Sequence, residues 1–164
     1  MQIQIDTREK QRAITKILDY FDSNGIGHHS SKLYVGDYMS MDNPRLIVDR
    51  KQNLNEICSN VCQQHKRFSD ELVRAKNAGI HLIILCEHSS QIKTLEDVKN
   101  WKNPRCKDHP LAMSGERLYK VLSTMQNSDK YDVEFRFCSK ANTGRVISNI
   151  LGGGRCGKND LYKA

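Results

Sequence analysis

The sequence has no apolar stretch long enough to cross a membrane and no secretory leader. Its longest nearly continuous apolar run, Ile80 to Cys86, is far shorter than the roughly 20 residues that a membrane-spanning helix needs. The first ten residues, MQIQIDTREK, lack the apolar core of a signal peptide. We therefore expect a soluble, cytoplasmic protein with no membrane partner.

Paired cysteines of the CxxC type are also missing. Because the six cysteines form no such pair and no secretory leader precedes them, we expect reduced thiols rather than disulfides. Cys58 and Cys62 lie one helical turn apart and could bind a metal together. No second pair of suitable spacing follows them, so a structural zinc site is not expected.

Internal repeats and low-complexity segments are absent. With 164 residues, the chain is long enough for one domain with a core and too short for two ordinary ones. We expect one domain over residues 1–151 and a flexible tail over the glycine-rich residues 152–164. The formal net charge of +7 favours a polyanionic partner, although it does not prove one.

Strand and helix patterns alternate along the chain. Residues 1–7 and 133–137 alternate apolar with polar side chains, which predicts strands, and the run at 80–86 predicts a central strand buried on both faces. Apolar residues recur at helical spacing over 14–21, 54–75, 118–125 and 146–151. Interleaved strands and helices predict an α/β fold, with helices around a mixed sheet.

Carboxylates fall where predicted strands begin or end. Asp6 ends the first strand, Asp37 follows a turn that Gly36 allows, and Asp49 and Lys51 end the next strand. Since side chains alternate along a strand, Asp49 and Lys51 are expected to project from the same face. If the sheet brings Asp37 beside them, two carboxylates and one ammonium share a small site.

Phosphodiester hydrolysis uses a set of groups of this kind. Carboxylate oxygens bind Mg²⁺, which retains some of its waters, and a bound divalent cation lowers the pKa of water and neutralises phosphate charge. A lysine orients or deprotonates the attacking water, or stabilises the transition state. Taken alone, an acidic residue followed two positions later by a lysine is common, and more often a pair of solvated charges.

Three motifs that follow one another along the chain favour a catalytic site over a pair of solvated charges. They are IDTREK at 5–10, YVGDYM at 34–39 and IVDRK at 47–51. Their order and spacing resemble the XPF/Hef-type structure-specific endonuclease domain of the PD-(D/E)xK superfamily, whose pattern is D-x-R-E, then G-D-Y, then E-R-K-x-x-x-D. The resemblance extends over about residues 2–88, through HKRFSDELVRA and IHLIILCEH. It implies a restriction-endonuclease-like fold, with a central mixed sheet flanked by helices.

The resemblance also implies roles for the acidic residues and the lysine. Asp37 and Asp49 would bind the metal, Mg²⁺ or Mn²⁺, and Lys51 would be the catalytic lysine. Asp6 and Glu9 would complete the acidic site, either as a further metal ligand or by binding through water.

Basic residues near these motifs are assigned to phosphate contacts by the same resemblance. Arg50 would contact phosphate or brace the carboxylates, and Arg8 would do the same, with a plain surface arginine as the alternative. Lys66, Arg67 and Arg74 would face the DNA backbone, with a solvated helix face as the alternative.

The sequence departs from the family pattern at two positions. Asp49 replaces the usual Glu and still supplies a carboxylate, whereas Asn55 replaces an Asp and leaves open whether one or two metals bind. No convincing helix-hairpin-helix module follows the motifs. We therefore expect a compact stand-alone nuclease, from a bacterium or from a phage-infected host cell.

Together, these features predict a metal-dependent endodeoxyribonuclease that cuts branched or flapped DNA during recombination, repair or replication. One alternative is a non-catalytic DNA-binding module of the same fold, which Asn55 favours. Another is a duplex-cutting defence or packaging nuclease. DNA is the expected partner, and a homodimer is an additional option.

Overall fold

A computed structural model describes residues 1–89 and 91–153. Within them, six strands form one mixed sheet in the order β2-β1-β3-β4-β5-β6. The strands are β1 (Gln2–Ile5), β2 (Gly27–Ser30), β3 (Tyr38–Ser40), β4 (Asn43–Lys51), β5 (His81–Glu87) and β6 (Val133–Cys138). The helices are α1 (Gln11–Ser23), α2 (Leu54–Cys62), α3 (His65–Asn77), α4 (Gly115–Gln126) and α5 (Thr143–Leu151). The predicted α/β fold, a mixed sheet flanked by helices, is confirmed.

Strand directions divide the sheet into two parts. β4, β5 and β6 run parallel, because the segments that join them cross over through helices. β3 is antiparallel to both β4 and β1, and β1 pairs in parallel with the edge strand β2. The boundary between the two parts lies at β3 and β4, which carry the GDY and DRK motifs.

Helices cover both faces of the sheet, which gives two separate hydrophobic cores. Ile47, Leu82 and Ile84 pack against α2, α3 and α4 on one face. Their neighbours Val48 and Ile83 pack against α1 and α5 on the other. This double coverage explains the nearly continuous apolar run of β5, whose residues from Leu82 onward are all buried.

The alternation along β4 distributes three charged residues between these faces. Asp49 and Lys51 follow Ile47 and face the side of α2 and α3, whereas Arg50 follows Val48 and faces the side of α1 and α5. The end of β4 therefore places a carboxylate and an ammonium on one face of the sheet and a guanidinium on the opposite face.

Side chains cap two of the helical segments. Thr94 and Asp97 form a capping box, in which the Asp97 carboxylate accepts the Thr94 N–H at 2.8 Å and Thr94 Oγ1 accepts the Asp97 N–H at 3.3 Å. Ser114 caps α4 by accepting the Arg117 N–H at 3.3 Å. The short strand β3 was not predicted, because three residues are too few to show a periodic pattern.

At the carboxyl end, the predicted tail over 152–164 lies outside the described residues apart from Gly152 and Gly153. Among the residues that the structure describes, no helix has the length and apolar character needed to cross a bilayer.

Gly36 fixes the turn that delivers Asp37 to the site. Its φ is +63°, and a Cβ atom there would lie 2.6 Å from Ile47 Cγ2. We expect Gly36→Ala to lower the free energy of unfolding by about 2–4 kcal/mol, because backbone strain and a core clash add. Gly25 is the matched control, since its φ is +65° with nothing within 4 Å of the Cβ position. Gly25→Ala should cost about 1 kcal/mol from strain alone. Urea denaturation measures both, and equal losses would contradict the clash at Gly36.

Candidate active site

Asp37 and Asp49 lie side by side at the junction of β3 and β4. Tyr38 pairs with Val48 across the two strands, so the residues that precede and follow this pair become neighbours. The Asp37 N–H donates to Val48 O at 2.9 Å, and Asp37 Oδ2 accepts the Arg50 N–H at 2.8 Å. The two carboxyl groups lie close enough for the negative charge of Asp49 to act on Asp37. The antiparallel register therefore brings together the two acids that the sequence separates.

Their proximity changes the ionisation of Asp37. Burial raises the pKa of the Asp37 carboxyl well above its usual value, and the negative charge of Asp49 raises it further. A buried pair of like charges is costly unless a proton or a cation lies between them. The pair is consequently poised to accept positive charge.

Lys51 supplies one positive charge at this point. Its Nζ lies 3.0 Å from Asp49 Oδ1 and 2.9 Å from Oδ2, and hydrogen-bond geometry is met only at Oδ1. Burial alone would lower the pKa of the Lys51 ammonium, but the adjacent Asp49 carboxylate outweighs it and holds the pKa above its usual value. Lys51 is therefore a charged group at neutral pH in this geometry.

A small polar cavity of about 50 Å³ opens beside Lys51, between β4 and the helices α2 and α3. Asn60 Oδ1 is buried without a hydrogen-bond partner, and Glu71 lines the same cavity from α3. Neither residue was expected at the site, because nothing in the sequence pattern links these helix positions to the motifs. The cavity has room for a few water molecules beside the ammonium.

Asp6 does not take the place expected of a metal ligand. Its Oδ2 accepts the Leu33 N–H at 2.6 Å, and its Oδ1 accepts both N–H groups of Arg8, from the backbone at 2.8 Å and from Nε at 2.6 Å. Burial would raise the pKa of the Asp6 carboxyl, but these donors lower it overall. Because N–H donors already hold both oxygens, Asp6 shapes the turn into the site rather than offering a direct ligand.

Arg50 and Glu9 meet on the opposite face of the sheet. Arg50 Nε donates to Glu9 Oε2 at 2.8 Å, and the Arg50 side chain is only 2% exposed. These contacts match the bracing of carboxylates, one of the two roles expected for Arg50, and the burial leaves almost no exposed guanidinium for a phosphate. Glu9 supports Arg50, and its negative charge also raises the pKa of Asp37.

Three residues missed at the sequence level complete this second cluster. Tyr38 Oη donates to Glu9 Oε2 at 2.8 Å, Glu87 Oε1 lies 3.3 Å from Arg50 Nη1, and Thr143 Oγ1 donates to the same Glu87 oxygen at 2.9 Å. The tyrosine of the GDY motif and an acid directly after an apolar strand were visible signals. Thr143 showed only its position at the start of the last helix, which did not link it to the motifs.

The basic residues of α3 lie on the surface next to the cavity. Lys66, Arg67 and Arg74 line a surface groove of about 550 Å³ together with two glutamines. Lys66 Nζ is paired with Asp70 at 2.7 Å on an exposed face. Arg67 lines both this groove and the cavity beside Lys51, so the two are adjacent. Arg8 is about half exposed on the other side of Asp6.

The donor set suits one hydrated divalent cation. Within residues 1–89 and 91–153, no group of three or more His, Cys, Asp or Glu side chains forms a preorganised metal site. Asp37 and Asp49 do provide two neighbouring carboxylates, and Asp49 Oδ2 is buried with no hydrogen bond, 2.9 Å from the Lys51 ammonium. Mg²⁺ commonly binds through one or two carboxylates and keeps several waters, so these two residues fit that cation.

Comparison with known proteins agrees with this fold. The sequence model of the ERCC4 domain matches residues 5–150. This chain belongs to the ERCC4 domain family. Two solved structures resemble this ERCC4 domain: XPF from Aeropyrum pernix, with a TM-score of 0.64, and the same protein in complex with DNA, with a TM-score of 0.63. Each is 18% identical, and the match covers 92% of this chain and 63% of theirs. No curated protein matches the sequence.

The buried carboxylate pair predicts an effect of pH on stability. Because the pKa of Asp37 is raised in the folded state, the free energy of unfolding falls as pH rises above the unfolded pKa of about 3.9. We expect Asp37→Asn to stabilise the protein in EDTA by about 1–2 kcal/mol near pH 8, and by less near pH 5. Urea denaturation at the two pH values measures this, with Asp19→Asn on exposed α1 as the control. A stabilisation that shrinks as pH rises would contradict the raised pKa.

Proposed function

We propose that this protein is a metal-dependent DNA endonuclease that acts on branched or flapped DNA in recombination, repair or replication. The observation that carries the proposal is the proximity of Asp37 to the Asp49–Lys51 ion pair beside a polar cavity, on an ERCC4 domain. The similar XPF structure in complex with DNA supports DNA as the partner.

Asp37 and Asp49 would hold Mg²⁺ or Mn²⁺. When bound, such a cation supplies a water of lowered pKa and neutralises charge that develops on the phosphate. The Arg50 N–H holds Asp37 Oδ2 in place, at 2.8 Å, so this acid keeps one orientation. Asp49 is held by Lys51 in the same way. Both acids are thus preorganised by neighbours on β4.

Lys51 acts as an ammonium in this mechanism. Its charge is maintained by Asp49 and its side chain is 12% exposed, so it reaches the polar cavity while it stays largely shielded from bulk water. A cation placed there stabilises the negative charge of the pentacoordinate phosphate and orients the attacking water. Asn60 Oδ1, which lacks a donor in the same cavity, is suited to accept a hydrogen bond from that water.

The DNA backbone would approach along the groove of α3. Arg67 lies where the groove meets the cavity, so it is the α3 cation nearest to the phosphate that is cut. Arg74 extends the same groove. Lys66 contributes less, because Asp70 already offsets its charge at 2.7 Å. Arg8 is half exposed next to Asp6, but its charge is likewise offset, by Asp6 at 2.6 Å, so it too contributes less.

Cleavage of a substrate panel tests the proposal. Labelled flap, fork, junction and linear duplex DNA are incubated with the protein in Mg²⁺, in Mn²⁺ and in EDTA. We expect flap or fork cleavage that needs the divalent cation, and losses of about a hundredfold or more in Asp37→Asn and in Lys51→Met, because each removes transition-state stabilisation. Asp19→Asn, on the opposite face of the sheet, should cleave like the wild type.

The outcomes separate the proposal from its alternatives. DNA binding without any cleavage, with or without metal, would indicate the non-catalytic module that Asn55 favours. Equal cleavage of linear duplex and branched DNA would indicate a duplex-cutting defence or packaging nuclease. Cleavage that persists in Asp37→Asn would rule out this site.

DNA binding in EDTA tests the groove independently of cleavage. Arg67→Ala and Arg74→Ala should each weaken binding about three- to tenfold and lower the slope of log affinity against log salt by about one, because each removes one phosphate contact. Lys16→Ala, an exposed lysine of α1 on the opposite face, is the matched control. Unchanged affinity and slope in both arginine variants would show that the groove is a solvated helix face.

A further inference from the structure

A second layer of charged side chains lies directly behind the acidic pair, inside the core on the α1 and α5 face. At its centre, Arg50 is bound by Glu9 at 2.8 Å and by Glu87 at 3.3 Å. Thr143, at the start of α5, donates to Glu87 Oε1 at 2.9 Å. The cluster thus joins the loop before α1, the ends of β4 and β5, and the start of α5.

Glu87 has the features of a residue retained for position rather than for contact with DNA. The residue is 4% exposed, and its Oε2 is buried without a hydrogen-bond partner. Two carboxylates around one guanidinium leave an excess negative charge in the core, which is costly compared with apolar packing. Such a cluster adds little to stability. Its presence in the core therefore points to another role, namely its effect on the geometry of neighbouring groups.

Arg50 connects this cluster to the acidic pair through its own backbone. Its side chain is anchored on one face of the sheet, while its N–H donates to Asp37 Oδ2 at 2.8 Å. Asp49 and Lys51 are its immediate neighbours in the chain and project to the other face. Any rotation of the strand end at Arg50 would move all three groups of the site together. Holding the guanidinium therefore holds the acids and the lysine.

We propose that Glu87 and Thr143 are positioning residues of the active site, which act through Arg50 to orient Asp37. Thr143 fixes one oxygen of Glu87, Glu87 fixes one end of the guanidinium, and Glu9 fixes the other. The effect on catalysis rests on the proposed nuclease function. The effect on the geometry of Asp37 does not, because it concerns hydrogen bonds of the protein itself.

Hydrogen exchange at the Arg50 amide tests the geometric part directly, since Asp37 is the acceptor of that N–H. We expect Glu87→Gln and Thr143→Val to speed this exchange about tenfold relative to the Ile84 amide in the middle of β5. Thr143→Ser keeps the hydroxyl donor and should restore slow exchange. Glu134→Gln is the matched control, because Glu134 is also paired with an arginine on a strand, Arg136, at 2.6 Å, but on β6.

Metal affinity tests the functional part. Mn²⁺ binding, followed by the loss of its free electron paramagnetic resonance signal, should weaken about tenfold or more in Glu87→Gln and Thr143→Val, as for other residues that support metal ligands. Their kcat should fall with little change in KM for DNA. Glu134→Gln should match the wild type in both measurements.

Failure of each idea has its own signature. Wild-type protein that neither binds Mn²⁺ nor cleaves DNA contradicts the proposed function, and amide exchange still decides the positioning role. Unchanged Arg50 exchange in both Glu87→Gln and Thr143→Val overturns the positioning role, whatever the activity. Faster exchange throughout the sheet in these variants would also overturn it, because that result indicates general destabilisation.

Discussion

The buried Arg50 guanidinium holds together parts of the chain that are far apart in sequence. Its two carboxylate partners come from the loop before α1 and from the end of β5, and its backbone N–H reaches Asp37 beside β3. An uncompensated charge at this depth would be prohibitive, so the partners must be in place whenever the sheet is formed. The geometry of the candidate site is therefore tied to the folding of the whole domain.

Alternation along one strand separates the two kinds of chemistry. Side chains that face α2 and α3 carry charges that remain incompletely balanced, namely the acidic pair and its lysine. The side chain that faces α1 and α5 is paired on both sides and shielded from water. The sheet thus separates the polar group of Asp37, Asp49 and Lys51 on one face from the ion-paired Arg50 side chain on the other.

The sequence predicted a site at residues that the structure brings together, because these residues occur in short motifs with fixed spacing. Asp37, Asp49 and Lys51 each follow or end a recognisable strand, and side-chain alternation placed the last two on one face. Apolar periodicity also located the helices, as over residues 118–125 in α4. These are local properties, and local properties are what a single sequence displays.

What the sequence did not show depends on contacts between distant segments. The hydrogen bond from the Leu33 N–H to Asp6 can be predicted only when the path of the loop after β2 is known. Thr143 and Glu87 are 56 residues apart, and nothing in either neighbourhood indicates their hydrogen bond. The location of the Arg50 side chain inside the core, and hence its inability to reach phosphate, likewise required the three-dimensional packing.

The position of Thr143 has a consequence for the order in which the molecule matures. The acidic pair, the lysine and Arg50 all lie between Gly36 and Lys51, a segment that the ribosome releases early and that pairs locally as adjacent antiparallel strands. Thr143, which holds the Arg50 partner Glu87, belongs to α5, and α5 emerges about ninety residues later. If this anchor orients the acids as proposed, a nascent chain would carry Asp37, Asp49 and Lys51 yet hold them in less fixed positions until α5 docks. Synthesis of α5 would then be the step that completes the candidate site.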